Sequence, residues 1–470
     1  MIRAGRPCWR KQYEPLGSKT SFRRDPIQMT DLLISVWREL ALFAGVGFLL
    51  FGLDDVLLDL LWLGTRQKDG VLTQEDNAQV QSWRLAVFIA AWDESTVIAA
   101  MLKECLSRWE GQDFSIYVGT YRNDPATQRA VDSVKDAHIH LVRTHHDGPT
   151  TKADCLNAIW TEFRSGIGNN PGDSWAIILH DAEDLVHPDE LRAYRQLLPH
   201  FDMVQLPVLP LPDARSPWVA GHYLDEFAES HGKDLIVRTA IGASLPSAGV
   251  GCAIRADALE AIARSQMDRP FDESCLTEDY ELGLRLAAMG KRTCFGRLRT
   301  RDDGTLIAVR AYFPDTLVAA VRQKTRWITG IALAGWDRTG WTSHVPEIWM
   351  RWRDRRSILA ALVMLSGYLS ACLALLLISN RHFSMPAGSL GALLSINFVF
   401  LCWRLGVRAY LVRRDHGWSQ AFMSVPRALV SSTIAIMASR RAFMQYLGIL
   451  KTGTIIWDKT RHHFPDAQKE

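Results

Sequence analysis

The chain has 470 residues, with 54 Lys plus Arg against 51 Asp plus Glu, and its formal net charge of +3 gives no electrostatic footprint for a nucleic-acid partner. Hydrophobic residues make up 48% of it while the mean hydropathy sits near zero, which averages a soluble part with membrane-embedded parts and fits neither class alone. The eight cysteines form no close CxxC pair, which argues against a zinc site or a disulfide framework and points to a reducing, cytosolic face.

Residues 1–31 form a basic tail running from Arg3 to Arg24. An apolar membrane segment follows over 32–64. Leu40 to Leu53 is too short to cross a bilayer alone, and extension to Leu63 takes in Asp54, Asp55 and Asp59, each costly at mid-bilayer. One crossing is expected. A re-entrant or interfacial segment is the alternative, and it would keep the basic tail from lying outside against the positive-inside rule. A long basic tail, internal acids and no small-residue cleavage site do not match a signal peptide, and a start at Met29 would remove most of the positive charge. The polar stretch 65–82 reads as a linker.

From 83 to 340, apolar runs alternate with helical spacing, so the expected fold is α/β, a doubly wound and mostly parallel sheet. Leu85–Ala90, Ser115–Val118, Ile139–Val142 and Ala176–Leu179 read as strands. Val97, Ile98, Met101, Leu102, Cys105, Leu106 and Trp109 mark one helix. Leu156, Ile159, Trp160 and Phe163 mark another, with Lys152 and Asp154 at its start. Such a sheet gathers ligand-binding groups at the carboxyl ends of its strands.

Asp181-Ala182-Glu183-Asp184 comes directly after the fourth apolar run. It places hard oxygen ligands where Mg²⁺ or Mn²⁺ would bridge to a diphosphate. Asp184 is read as a further metal ligand or as the cap of a helix beginning near Pro188. The segment Ser247–Gly251 is read as a glycine-permitted close approach of backbone to substrate, or a plain turn. Leu282, Leu286 and Met289 put Glu278 and Asp279 in the first turn of a helix ending near Gly290, where acids also suit the dipole. Gln323, Arg326 and Trp327 combine a polar group, a guanidinium fork for diphosphate oxygens and an apolar platform for a sugar ring.

A basic linker, 341–357, leads to a membrane hairpin over 358–403, made of the uncharged runs Ile358–Ser379 and Pro386–Trp403. Arg351, Arg353, Arg355 and Arg356 precede it, Arg404, Arg408, Arg413 and Arg414 follow it, and Arg381 and His382 lie in the connection. Both ends are therefore expected in the cytoplasm, with the sheet domain. Ala421–Ala438 carries Pro426 and Arg427 and is expected to be an interfacial helix within a cytoplasmic region 404–470, with a third C-terminal span as the alternative.

In order, Lys152-Ala153-Asp154-Cys155-Leu156-Asn157, Asp181-Ala182-Glu183, Thr277-Glu278-Asp279 and Gln323-Lys324-Thr325-Arg326-Trp327 resemble the signature of family 2 inverting glycosyltransferases. The resemblance implies a GT-A-like domain. It implies donor binding by Lys152 and Asp154, metal and diphosphate binding by Asp181 and Glu183, a catalytic base in Asp279 supported by Glu278, and acceptor or diphosphate contacts from Gln323, Arg326 and Trp327. Glu183 replaces the commoner second Asp of the DxD pattern. Many relatives carry two aspartates after the second strand, where this chain keeps only Asp124, and Asp93 and Glu94 are expected to share in binding the nucleotide.

From Leu50–Asp55 through Trp457–Pro465 the chain resembles the membrane glycosyltransferase part of the bacteriophage-adsorption protein B group. The implied protein is a multi-pass enzyme of the bacterial inner membrane. It would move a sugar from a nucleotide-sugar donor, expected to be a UDP-sugar, to a glycan or lipid-linked acceptor for a surface or exported polysaccharide. Two or three spans are few for an export channel, so an export or outer-membrane partner protein is expected. The alternative from another class is a catalytically inactive scaffold in an envelope export or phage-receptor complex.

Overall fold

The computed structural model describes residues 26–65, 69–73, 83–166, 174–379 and 386–453. Most of the basic tail, much of the linker 65–82, the Arg381-His382 connection and the Trp457–Pro465 stretch lie outside the described residues.

Seven strands form the central sheet: β1 (Trp83–Ala90), β2 (Phe114–Thr120), β3 (Ile139–Arg143), β4 (Ser174–His180), β5 (Met203–Gln205), β6 (Cys252–Arg255) and β7 (Thr293–Phe295). Their order is β3-β2-β1-β4-β6-β5-β7. β1 runs parallel to β2 and β4, with Val87 opposite both Ile116 and Ile178, whereas β6 runs antiparallel to β4 and β5. The sheet is thus mostly parallel and doubly wound, as expected. Alternation along β1 shows why its apolar run is continuous. Leu85, Val87 and Ile89 pack with Ile98, Met101, Leu102 and Cys105 on one face, and Ala86 and Phe88 pack with Leu156, Ile159, Trp160 and Phe163 on the other.

A second pairing, Val208–Pro210 with Val309–Ala311, is parallel and carries the chain after each strand to the same edge. These strands are too short to announce themselves by periodicity.

Among the described residues, three helices are long and apolar enough to cross a membrane: Met29–Gly64, Ser357–Ser379 and Gly388–Thr452. Gly47 faces Val363 and Gly367 faces Phe48, while Gly45 faces Leu393 and Gly52 faces Phe400. Trp37 clusters with Leu377 while Phe51 lies under Arg356, so the N-terminal helix runs antiparallel to Ser357–Ser379, and its contacts with Leu393 and Phe400 make it parallel to the start of the last helix. A Cβ at any of these glycines would lie 2.3–2.9 Å from its neighbour, so small residues set the helix spacing.

The structure differs from expectation at the helix ends. Asp54, Asp55 and Asp59 do not sit unpaired among apolar groups. Asp54 accepts from Arg353, Arg356 and the Trp349 indole, Asp55 from Arg353, Arg356 and Arg404, and Asp59 from Lys233 and the Trp403 indole at 2.8 Å each. The last helix does not stop at Trp403 but continues to Thr452, broken at Gly417, whose φ of 80° and ψ of 178° belong to glycine. Past that break Arg427 is fully buried and forks onto Asp225 at 2.6 and 3.0 Å.

Candidate active site

One cavity opens at the carboxyl edge of the sheet, lined by Glu94, Lys152, Asp181, Glu183, Asp184, Glu278, Asp279, Gln323, Arg326 and Trp327. They come from two strand ends, two helix starts and the later half of a third helix. Glu94 follows β1, and Asp181 to Asp184 follow β4. Lys152 opens the helix Lys152–Gly166, and Glu278 and Asp279 open Glu278–Ala288 behind the N-cap residue Thr277. Gln323, Arg326 and Trp327 stand on Leu317–Ile328, capped by the Thr316 hydroxyl, which accepts from Ala319 N–H.

Lys152 is the hub. Its Nζ donates to Asp181 Oδ1 at 2.6 Å and to the Gly249 carbonyl at 3.2 Å. Burial disfavours the ammonium, yet Asp181 and Glu278 outweigh it and hold the lysine above its usual pKa. Gly249 has φ +76°, and a Cβ there would lie 2.5 Å from Asp279 Oδ2, so only glycine lets this loop reach both Lys152 and Asp279. Asp279 Oδ1 accepts from Tyr280 N–H at 2.8 Å. Burial raises the Asp279 carboxyl despite Lys152, and burial with the adjacent Asp279 charge raises Glu278 to about 7.

Asp184 turns its Oδ2 back into the protein, accepting from Asp181 N–H at 3.0 Å and meeting His180 Nδ1 at 2.8 Å. The other imidazole nitrogen meets Glu190 Oε1 at 3.0 Å. Burial opposes the imidazolium, but Glu190 and Asp184 raise His180 to about 10, so a buried cation lies between two buried acids beneath Asp181. The expected helix cap is also displaced, since the helix Glu190–Leu197 has Asp189 at its N-cap. Asp184 thus shapes the turn that presents Asp181.

Asp93, Asp124 and Asp154 are not among the residues lining the cavity. Asp124 Oδ1 caps the helix Pro125–Asp132 through Thr127 N–H, and its Oδ2 accepts from Asp93 N–H at 2.7 Å. Asp154 accepts from the Thr150 hydroxyl at 2.7 Å. Asp124 and Asp154, expected to contact the nucleotide, thus also fix the loops beside the cavity. Residues not anticipated also border the cavity: Trp92 and Tyr121, edge to face at 5.2 Å, with Asp213, Arg215 and Tyr312–Asp315 on the far wall. Gln205, fully buried at the end of β5, donates to the Val250 carbonyl at 2.8 Å and accepts from Ala248 N–H at 2.8 Å, bracing the glycine loop. A Gln closing an apolar strand was the available signal.

Two polar atoms at the cavity, Gln323 Oε1 and Thr277 Oγ1, are buried without a partner. Lys324 pairs with Glu226 and lies over the Tyr223 and Trp327 rings. A π-helical turn, Thr329–Leu333, follows directly, a distortion frequent at functional sites.

The family model for glycosyl transferase family group 2 matches residues 176–411, half of the chain and most of the cavity wall. The chain belongs to that family. This glycosyl transferase is 34% identical over 465 residues to bacteriophage adsorption protein B of Escherichia coli strain K12 and, equally, to bacteriophage N4 adsorption protein B of Escherichia coli O157:H7. The alignment covers 92% of the chain but 62% of either relative. Among solved structures, a mannosyltransferase from Pyrobaculum calidifontis in complex with GDP-Man and Mn²⁺ superposes with a TM-score of 0.48 at 15% identity, covering 84% of this chain and 99% of that one. Glucosyl-3-phosphoglycerate synthase from Mycobacterium tuberculosis, in complex with Mn²⁺, UDP and phosphoglyceric acid, gives 0.34 at 14% identity, covering 58% and 87%.

The transferase's donor set fits a hard divalent cation. Asp181 and Glu183 bring carboxylate oxygens, the ligand type that Mg²⁺ and Mn²⁺ prefer, to the cavity.

Proposed function

We propose that this chain is a membrane-bound inverting glycosyltransferase that moves a hexose from a nucleotide-sugar donor, taken from the family resemblance as a UDP-sugar, to a glycan or lipid-linked acceptor of a surface or exported polysaccharide. One observation carries the reading: Lys152, Asp181, Glu278, Asp279, Gln323, Arg326 and Trp327, from segments far apart in the chain, line a single cavity. Three helices long and apolar enough to cross a membrane support a multi-pass protein. Arg353 and Arg356 just before Ser357–Ser379, and Arg404 directly after the uncharged run 386–403 of the last helix, support a cytoplasmic catalytic domain on the bacterial inner membrane, where an export or outer-membrane protein would receive the product.

The chemistry follows from the charges. Asp279, which lines this cavity, would take the acceptor hydroxyl proton while the new glycosidic bond forms and the bond to the diphosphate breaks. Its raised pKa makes it a stronger base than an exposed aspartate. Lys152 and Arg326 face the same cavity and offset the charge that develops on the leaving diphosphate. Asp181 and Glu183 would hold Mg²⁺ or Mn²⁺, which when bound supplies further neutralisation of the diphosphate. Trp327 offers its ring face to a sugar, and Gln323 Oε1 an unused acceptor.

The test is hydrolysis of a panel of nucleotide sugars by purified protein with and without Mn²⁺. Metal-dependent turnover, abolished by Asp181→Asn with membrane insertion intact, is expected. Absence of turnover and of binding with every donor would leave the scaffold reading in its place. Asp279→Asn is expected to keep nucleotide binding and stop transfer.

A further inference from the structure

Past Gly417 the last helix has two faces. Ala421, Ser424, Arg427, Ile434 and Ala438 are buried. Trp418, Phe422, Leu429, Met437, Met444 and Leu450 are exposed, Phe422 by 72% and Leu429 by 61%, at intervals that keep them on one side of the helix. The buried face rests on the sheet domain, so the exposed face points away from it. Nothing in the proposed transfer chemistry uses that face.

Two observations identify its occupant. The helix continues directly from the one that packs beside the N-terminal helix in the apolar bundle, and it turns at a residue whose backbone angles belong to glycine. Its last turns also lie beside more aromatic surface: Tyr446 donates to Asp337 at 2.6 Å, next to the exposed Trp336 and Trp341, which meet edge to face at 5.4 Å. Exposed Arg440 and Arg441 add positive charge. Aromatic and aliphatic groups with arginines, next to spanning helices, are the chemistry of an anionic bilayer surface.

The inner face gives this contact a consequence. Ile434 and Ala438 pack in one cluster with Ala320, Val321 and Tyr223, and the Thr325 hydroxyl, which donates to the Val321 carbonyl at 2.6 Å, lies 3.5 Å from the Ala438 carbonyl. The helix bearing Gln323, Arg326 and Trp327 is therefore seated on this one.

We propose that the exposed face of Trp418–Leu450 docks on an anionic lipid leaflet and that docking orders the helix carrying Gln323, Arg326 and Trp327. Its effect on turnover rests on the proposed function, whereas the docking does not. Each arginine near an anionic surface strengthens the attachment about fivefold.

Hydrogen exchange of the full chain in nanodiscs of phosphatidylcholine alone, and of phosphatidylcholine with phosphatidylglycerol, tests it without any donor. Amides of 418–452 and 317–328 are expected to exchange about tenfold more slowly with the anionic lipid. Phe422→Glu with Leu429→Glu should remove that difference while the melting temperature in detergent stays at the parent value. Should the double variant unfold, the lipid comparison on the parent decides. Equal exchange in both bilayers, or protection that arises only when a protein partner is added, would overturn the proposal. Missing sugar transfer would sink the proposed function and leave this result standing.

Discussion

Gly249→Ala isolates the geometry of the base from its chemistry. The new methyl would sit 2.5 Å from Asp279 Oδ2 and 3.3 Å from its Cβ and Cγ. Restoring ordinary contact requires the carboxylate to retreat by about 0.5–0.9 Å, and a misplacement near 1 Å at a reacting group costs on the order of 10²-fold. The positive φ adds backbone strain of about 1–2 kcal/mol. Gly242→Ala supplies the control, because Gly242 also has a positive φ, +70°, but an added Cβ meets nothing within 4 Å. Both variants should lose a few degrees of melting temperature from the backbone strain, the Gly249 variant more because of its added clash. Transfer by the Gly249 variant should fall about 10- to 100-fold, with the affinity for the donor's nucleoside diphosphate changed only a few-fold. The assay is turnover and nucleotide titration with the donor found in the hydrolysis panel. Equal transfer rates in the two alanine variants would refute the placement of Asp279 at the reacting centre.

The raised carboxyls give a pH dependence with a definite sign. A base must be ionised, so kcat/KM should fall with falling pH already above the ordinary carboxylate range, and a profile that stays flat down into that range would exclude Asp279 as the base. The same upward shift means that Glu278 contributes stability below the ordinary carboxylate range and loses it as pH rises through about 7. The free protein should therefore melt lower at alkaline pH, and nucleotide with Mn²⁺ should narrow the gap. Chelation by EDTA should abolish donor hydrolysis and Mn²⁺ should restore it, whereas hydrolysis indifferent to EDTA would remove Asp181 and Glu183 from metal binding. Arg427→Ala should cost about 3–5 kcal/mol by leaving Asp225 charged and buried, and Arg427→Met with Asp225→Leu should recover most of it in thermal melts.

What the sequence disclosed depended on the length scale of each signal. Long buried strands such as β1 and β4, and helices with clear apolar faces, place Lys152, Asp181 and Asp279 at one edge by periodicity alone. Asp124 and Asp154 show the limit of reading by letter. An acid at the right offset from a strand is equally suited to cap the next helix or fix the next loop, and only the hydrogen-bond partners tell these roles apart. The far wall of the cavity was invisible because Val208–Pro210 and Val309–Ala311 are three-residue strands joined across about a hundred residues, with no local pattern. The burial of Arg427 was invisible for a related reason, since the charge that compensates it, Asp225, is far away in the chain.

The acids of the N-terminal helix follow the same logic. Read alone, Asp54, Asp55 and Asp59 weaken a membrane segment, because each unpaired charge is expensive in hydrocarbon. Paired with Arg353, Arg356, Arg404 and Lys233, they join three apolar helices and the helical segment Gly221–Ala240 at one level. That segment also carries Glu226, the partner of Lys324 between Gln323 and Arg326, and Asp225, the partner of Arg427. The charges that look out of place in the apolar helix are thus linked, through a single helical segment, to the helix lining the cavity. Asp55→Asn would leave Arg404 with the longer pairing to Glu229, at 3.6 Å, at that junction. If the linkage is real, the substitution should lower the melting temperature and slow transfer together; a fall in stability with transfer unchanged would show that the junction anchors the domain without shaping its cavity.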